Sequence, residues 1–62
     1  MTEKEYITRR AALVGQAMKI NPKFFPRCVK ARLTQIARLD SEYSGIDFEQ
    51  RKIELNKEWF NK

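Results

Sequence analysis

One stretch, from Phe25 to Gly45, most constrains how this chain can fold. Pro26 suits the first position of a helix, where a missing N–H costs nothing, and Gly45 suits the left-handed residue just past a last turn. Between them, apolar residues recur at spacings of four and three, at Val29, Leu33 and Ile36. This pattern predicts one long helix with a single buried face.

The two sides of that helix differ in charge. The opposite side carries residues that repeat at spacings of three and four, namely Arg27, Lys30, Thr34 and Arg38, and we expect this basic face to be solvated. Asp40 continues the apolar row. It is therefore either a flaw in the buried face or a sign that the helix is already leaving the core.

The length of the chain limits its stability. A chain of 62 residues is one domain, and a core of this size seldom contributes more than roughly 3 to 5 kcal/mol net. Cys28 is the only cysteine and histidine is absent, which excludes an internal disulfide and a Cys/His zinc site. We therefore expect a homodimer. The lone thiol, and the lack of a signal-like or bilayer-length apolar run, predict a cytoplasmic protein that does not bind membranes.

A first helix is expected over residues 3–20, because Thr2 and Glu5 form a capping box at its start and Pro22 ends it. Its apolar residues fall in two rows, which are Ile7, Ala11, Val14 and Met18, and Tyr6, Leu13, Ala17 and Ile20. Together they predict a wide face that meets two neighbours. Arg10 lies between the rows. It either extends its charged head to water or meets a carboxylate across a subunit or partner interface.

A tight corner is expected at residues 21–25, between two antiparallel helices. Phe24 and Phe25 lie in this corner, between Lys23 and Arg27. The favoured interpretation is that at least one phenylalanine closes the end of the core. The alternative is an exposed aromatic pair flanked by cations, which would stack on a base or enter a pocket of a partner.

A last helix is expected over residues 48–61, because Asp47 and Gln50 form a second capping box. Trp59 and Phe60 are too large and apolar to be left bare near its end. They either close the core, which is the favoured interpretation, or form a dimer seam.

These patterns predict an all-α fold in which one domain over residues 1–62 contains three helices, at about 3–20, 26–44 and 48–61. The first two form an antiparallel helical hairpin, and the third packs across it. The alternative is an extended hairpin whose open face closes only in a dimer.

The inventory of side chains argues against an enzyme. Histidine is absent, and the acidic residues lie mostly on helix faces expected to be solvated. Cys28 has no histidine to activate it, so we expect it to be a buried structural thiol. No glycine-rich phosphate loop is present. We expect no cofactor, no metal and no small-molecule substrate.

The net charge of +5 is concentrated, because no acidic residue occurs between Tyr6 and Leu39. The first hypothesis is a regulatory or accessory protein whose basic hairpin binds an acidic protein surface. The residues expected to bind the partner are Arg10, Phe24, Phe25, Arg27, Lys30 and Arg38. The second hypothesis is direct, weakly sequence-selective binding of nucleic acid by the same hairpin.

Overall fold

The computed structural model describes residues 1–61 and contains three helices: α1 (Glu3–Met18), α2 (Pro26–Ser44) and α3 (Phe48–Phe60). Helix α2 contacts both α1 and α3, and each neighbour runs antiparallel to it. The predicted all-α fold, a helical hairpin with a third helix packed on it, is confirmed. Helix α1 ends earlier than expected because the N–H groups of Lys19 and Ile20 donate to carbonyls three residues back. Helix α3 ends at Phe60.

The predicted helix ends are held by the expected caps. The backbone N–H of Glu5 donates to Oγ1 of Thr2 over 3.2 Å. The N–H of Gln50 donates to Oδ2 of Asp47 over 2.9 Å. Gly45 has φ +74°, the left-handed conformation that glycine adopts without steric cost. Local sequence therefore determines where α2 ends and where α1 and α3 begin.

The core is centred on the predicted face of α2. Val29, Leu33 and Ile36 are fully buried, together with Ala37 of α2 and Leu55 of α3. Partly buried side chains from both neighbouring helices pack around this cluster, and these are Leu13, Val14, Ile20, Phe48, Trp59 and Phe60. Helix α2 is thus the central element, and α1 and α3 each cover part of its apolar face.

One of the two apolar rows of α1 is directed at α2, and of the other row Val14 packs against the core cluster. Ala17 is buried, and Tyr6, Leu13 and Ile20 of the same row are half-buried. In the other row, Ile7 and Met18 remain 56% and 71% exposed. The second neighbour expected for this wide face is absent from residues 1–61, because α1 packs against α2 and leaves Ile7, Ala11 and Met18 exposed.

Candidate functional site

Asp40 lies at the centre of a buried polar cluster that joins the three helices. Its carboxylate is 2% exposed. One oxygen, Oδ1, accepts a hydrogen bond from the Tyr6 hydroxyl at 2.7 Å and another from Nε of Arg10 at 3.0 Å. The other oxygen, Oδ2, accepts from Nε of Arg51 at 2.8 Å. We call these four residues the Asp40 cluster.

Hydrogen bonding keeps Asp40 charged despite its burial. Burial alone raises the pKa of a carboxyl group, but the bonds from Tyr6, Arg51 and Arg10 outweigh it and hold the pKa of Asp40 below its ordinary value. The same contact with Asp40 raises the pKa of Tyr6. A carboxylate with a lowered pKa is a poor proton donor or acceptor near neutral pH, so the cluster is suited to holding helices together and not to acid–base catalysis.

Two interpretations from sequence are corrected by this cluster. Asp40 is neither a flaw in the core nor a sign that α2 leaves it, because its charge is matched inside. Arg10 does meet a carboxylate, but that carboxylate belongs to the same chain and not to another subunit. The sequence contains a signal for this pairing, because Arg10 and Asp40 carry opposite charges and each interrupts an otherwise apolar face of its helix. Helical spacing alone did not predict Tyr6 and Arg51 as further ligands.

Phe24 and Phe25 lie on the surface, which makes the interpretation that one closes the core wrong. They are 70% and 59% exposed. The turn explains why: the N–H groups of both residues donate to the carbonyl of Asn21, at 3.2 and 2.9 Å, and Pro26 then begins α2. Lys23 and Arg27 on either side are also exposed. We call residues 23–27 the aromatic corner.

An open depression of about 410 Å³ lies at the aromatic corner. It is lined by Phe24, Phe25, Pro26, Arg27 and Cys28. Cys28 is exposed, so the expected buried thiol is wrong; the residue lies on the side of α2 away from the buried row. Apolar rings, a thiol and a guanidinium therefore share one accessible surface.

The predicted basic row of α2 is exposed, and part of it lies over aromatic rings of α3. Nζ of Lys30 is 5.6 Å from the centre of the Phe60 ring, and Cζ of Arg38 is 5.6 Å from that of Phe48. Such cation–π contacts contribute about 0.5 to 1 kcal/mol at exposed sites. Arg27, Lys30 and Arg38 are thus brought to one side of α2, while Arg10 is drawn into the Asp40 cluster.

Trp59 and Phe60 are half-buried and pack against the core cluster. Phe60 also lines a groove of about 340 Å³ between the start of α2 and the end of α3. The other residues lining it are Pro26, Lys30, Asn56, Lys57 and Asn61. Two of the residues that line the groove are lysines, so the basic surface extends from α2 onto α3.

Residues 1–61 contain no group of three or more side chains placed to hold a metal ion. Within the same part of the chain, none of the helices is long and apolar enough to cross a bilayer. Comparisons with protein-family models, with curated proteins and with solved structures gave no match. The geometry of the aromatic corner, the basic row and the Asp40 cluster therefore supplies the evidence on function.

Proposed function

We propose that this protein is a non-enzymatic accessory or regulatory protein that binds another protein through its aromatic corner. The observation that carries the proposal is the exposure of two adjacent phenylalanines, Phe24 and Phe25, at 70% and 59%. Fully burying one such side chain is worth about 1.5 to 3 kcal/mol. A binding partner that covers the exposed part of both rings gains a corresponding share of this energy.

Charge identifies the kind of surface that fits the corner. Lys23 and Arg27 flank the rings, and no acidic residue occurs in the sequence from Tyr6 to Leu39. Buried aromatic anchors surrounded by charged residues are typical of binding hot spots, and complementary charge increases the rate of association. The partner is accordingly a protein with an apolar pocket and an acidic rim.

The remaining predicted site residues have supporting roles in this proposal. Lys30 and Arg38 extend the positive surface along α2 and attract an acidic partner over a longer range. Arg10 acts indirectly, because its pairing with Asp40 fixes the packing of α1 on α2 and thereby the position of the corner.

Affinity capture from the cells that make the protein tests this proposal. Wild-type protein is compared with a Phe24→Ser/Phe25→Ser variant and with Ile53→Ser, which changes another exposed apolar residue, 53% accessible, on α3. We expect a protein retained by the wild type and by Ile53→Ser and lost from the double variant. Identical captured proteins for all three would contradict the proposal.

A second candidate function is nucleic-acid binding, which is favoured by the basic row. Arg27, Lys30 and Arg38 are exposed along about 17 Å of one helix. A row of this kind can follow a phosphate backbone without reading sequence. The nearby Lys57 and the exposed rings of the aromatic corner add a cation and stacking surfaces.

Binding to a short fluorescent DNA duplex tests the second candidate. If all three cations contact phosphates, changing them together to Gln weakens binding and lowers the salt-dependence slope by about 2.7. The matched control removes the same charge from α1 and the residue after it, through Lys4→Gln, Arg9→Gln and Lys19→Gln. Equal effects of the two triple variants would show that only net charge matters, and the row would then have no specific role.

A further inference from the structure

The groove between the start of α2 and the end of α3 gathers exposed cations from both helices. Lys30 and Lys57 line it, and Arg27 lies three residues before Lys30 on α2. The ion pairs formed within residues 1–61 use other cations, so these three lie more than 4 Å from the carboxylates in that part of the chain. We call Arg27, Lys30 and Lys57 the groove cations.

The acidic residues next to Lys57 in sequence are directed to another side of α3. The hydrogen bond to Asp40 raises the pKa of Arg51, and the charges of Glu54 and Glu58 raise it further. Both glutamates are therefore close to Arg51, on the side of α3 that faces the Asp40 cluster. The side that lines the groove keeps its positive charge.

We propose that the groove cations bind neighbouring phosphates of a nucleic-acid duplex, with Lys57 supplying a contact that the basic row of α2 lacks. This inference rests on the second candidate function. Arg27 and Lys30 are separated by about 4.5 Å along the axis of α2. Phosphates of one strand follow each other by about 3.4 Å along a duplex, so the two side chains can reach neighbouring ones. Such contacts hold the backbone without reading bases.

The aromatic residue of the groove favours a duplex over a single strand. Phe60 is half-buried, packs against the core cluster and has Nζ of Lys30 at 5.6 Å from the centre of its ring. Little of the ring is left to stack on an unpaired base, which is how sites for single strands commonly gain affinity. The exposed rings of the aromatic corner do not line the groove. A duplex presents its phosphates outward and needs no such ring.

Lys52 provides a comparison within the same helix. It carries the same charge as Lys57 and lies five residues before it in the sequence. Its ammonium group, however, pairs with Glu49 at 3.6 Å, and Lys52 does not line the groove. A phosphate near Lys52 would meet the negative charge of Glu49 as well. We therefore expect Lys57 to contact the duplex and Lys52 to contribute little.

Fluorescence anisotropy with a short DNA duplex, measured over a series of salt concentrations, tests this difference. Lys57→Gln should weaken binding and lower the salt-dependence slope by about 0.9, the value for one lost phosphate contact. The matched control, Lys52→Gln, should keep the wild-type slope, and circular dichroism checks that both variants are folded. Equal losses in the two variants would overturn the inference and leave nucleic-acid binding by net charge. A wild type that does not bind the duplex would overturn the second candidate function as well.

Adding a cation tests the same site in the opposite direction. Asn61 is exposed and lines the groove, so Asn61→Lys should raise the slope by about 0.9. Gln16→Lys adds the same charge at an exposed position of α1 and should leave the slope unchanged. Equal gains in the two variants would contradict a site in the groove.

A single strand of the same sequence tests the choice of a duplex. We expect the duplex to bind more tightly, and Phe24→Ser/Phe25→Ser to bind it like the wild type. Tighter binding of the single strand, lost in the double variant, would assign nucleic-acid binding to the aromatic corner and reject the groove.

Discussion

The Asp40 cluster and the aromatic corner each hold groups in an unfavourable environment, but the first buries a charge and the second exposes apolar rings. A charge that is costly to bury lies inside the protein, and its two oxygens receive three hydrogen bonds from two other helices. Two phenylalanines that are costly to expose lie on the surface, more than half accessible. Both regions run against the simple rule of apolar inside and charged outside.

The difference separates what holds the fold from what is left for a partner. The buried charge is satisfied within residues 1–61, where no buried side-chain nitrogen or oxygen lacks a hydrogen-bond partner. For the exposed rings of Phe24 and Phe25, nothing beyond the local turn offsets the free-energy cost of their exposure in the same way. We therefore expect changes in the Asp40 cluster to destabilise the protein, and changes in the aromatic corner to alter binding with little effect on stability.

The largest expected effect is that of Asp40→Ala. Removing the carboxylate leaves Arg10 and Arg51 without their shared partner, and breaking a buried ion pair from one side costs about 3 to 5 kcal/mol. This loss is similar to the whole net stability of a small domain, so we expect far-ultraviolet circular dichroism of an unfolded chain. Glu49→Ala, which breaks an exposed pair with Lys52, is the control and should stay folded. A folded Asp40→Ala protein would contradict the view that the Asp40 cluster, unlike the aromatic corner, holds the fold together.

Tyr6→Phe is expected to have the next largest effect. The change removes one bond to Asp40 but keeps the ring that stacks on Tyr43 at 4.1 Å between centroids. A hydrogen bond to a charged group contributes about 1.5 to 3 kcal/mol, and urea denaturation at neutral pH should show a loss of that order. No measurable loss would mean that two arginines suffice to hold the carboxylate.

Acid titration of the same variant sharpens this test. Because the pKa of Asp40 is lowered in the folded state, its contribution is fully present above the unfolded value of about 3.9 and is lost as pH falls through the folded pKa. Without the Tyr6 hydroxyl the folded pKa moves up toward 3.9. Acid unfolding of Tyr6→Phe should therefore begin at a higher pH than that of the wild type, and coinciding curves would contradict this coupling.

Loss of the N-terminal cap of α3 is expected to have an effect of intermediate size on stability. Asp47→Ala removes the acceptor for the N–H of Gln50 at the start of α3 and should cost about 1 kcal/mol in the free energy of unfolding. Asp47→Asn keeps an acceptor and is the matched control. If both variants lose equal stability, the capping bond is not what holds the start of α3.

The smallest expected effect on stability is that of Phe24→Ser/Phe25→Ser. The rings are exposed in the folded chain, so the free energy of unfolding should change by less than about 0.5 kcal/mol. Urea denaturation measures this change. A loss comparable to that of a core substitution would mean that the corner belongs to the fold and is not left for a partner.

Features set by neighbouring residues were predictable from the sequence, and features set by distant residues were less so. The capping boxes, Gly45 and the apolar row of α2 specify local geometry, and they fixed the helices and the centre of the core. Whether Arg10 and Asp40 pair with each other depends on which helices pack together, because these residues lie 30 positions apart in the sequence. The exposure of Phe24 and Phe25 depends on the turn at Asn21, and composition alone favoured burying rings of this size.

Photo-cross-linking at the aromatic corner tests the central claim most directly. Phe24 is replaced by the photoreactive benzoyl-phenylalanine in the cells that make the protein, and Ile53 is replaced in the same way as an exposed reference on α3. We predict a discrete adduct with one acidic protein from position 24, which weakens when Lys23 and Arg27 are changed to Glu, and no such adduct from position 53. The same adducts from both positions, or none from position 24, would contradict the assignment of the corner as a protein-binding site.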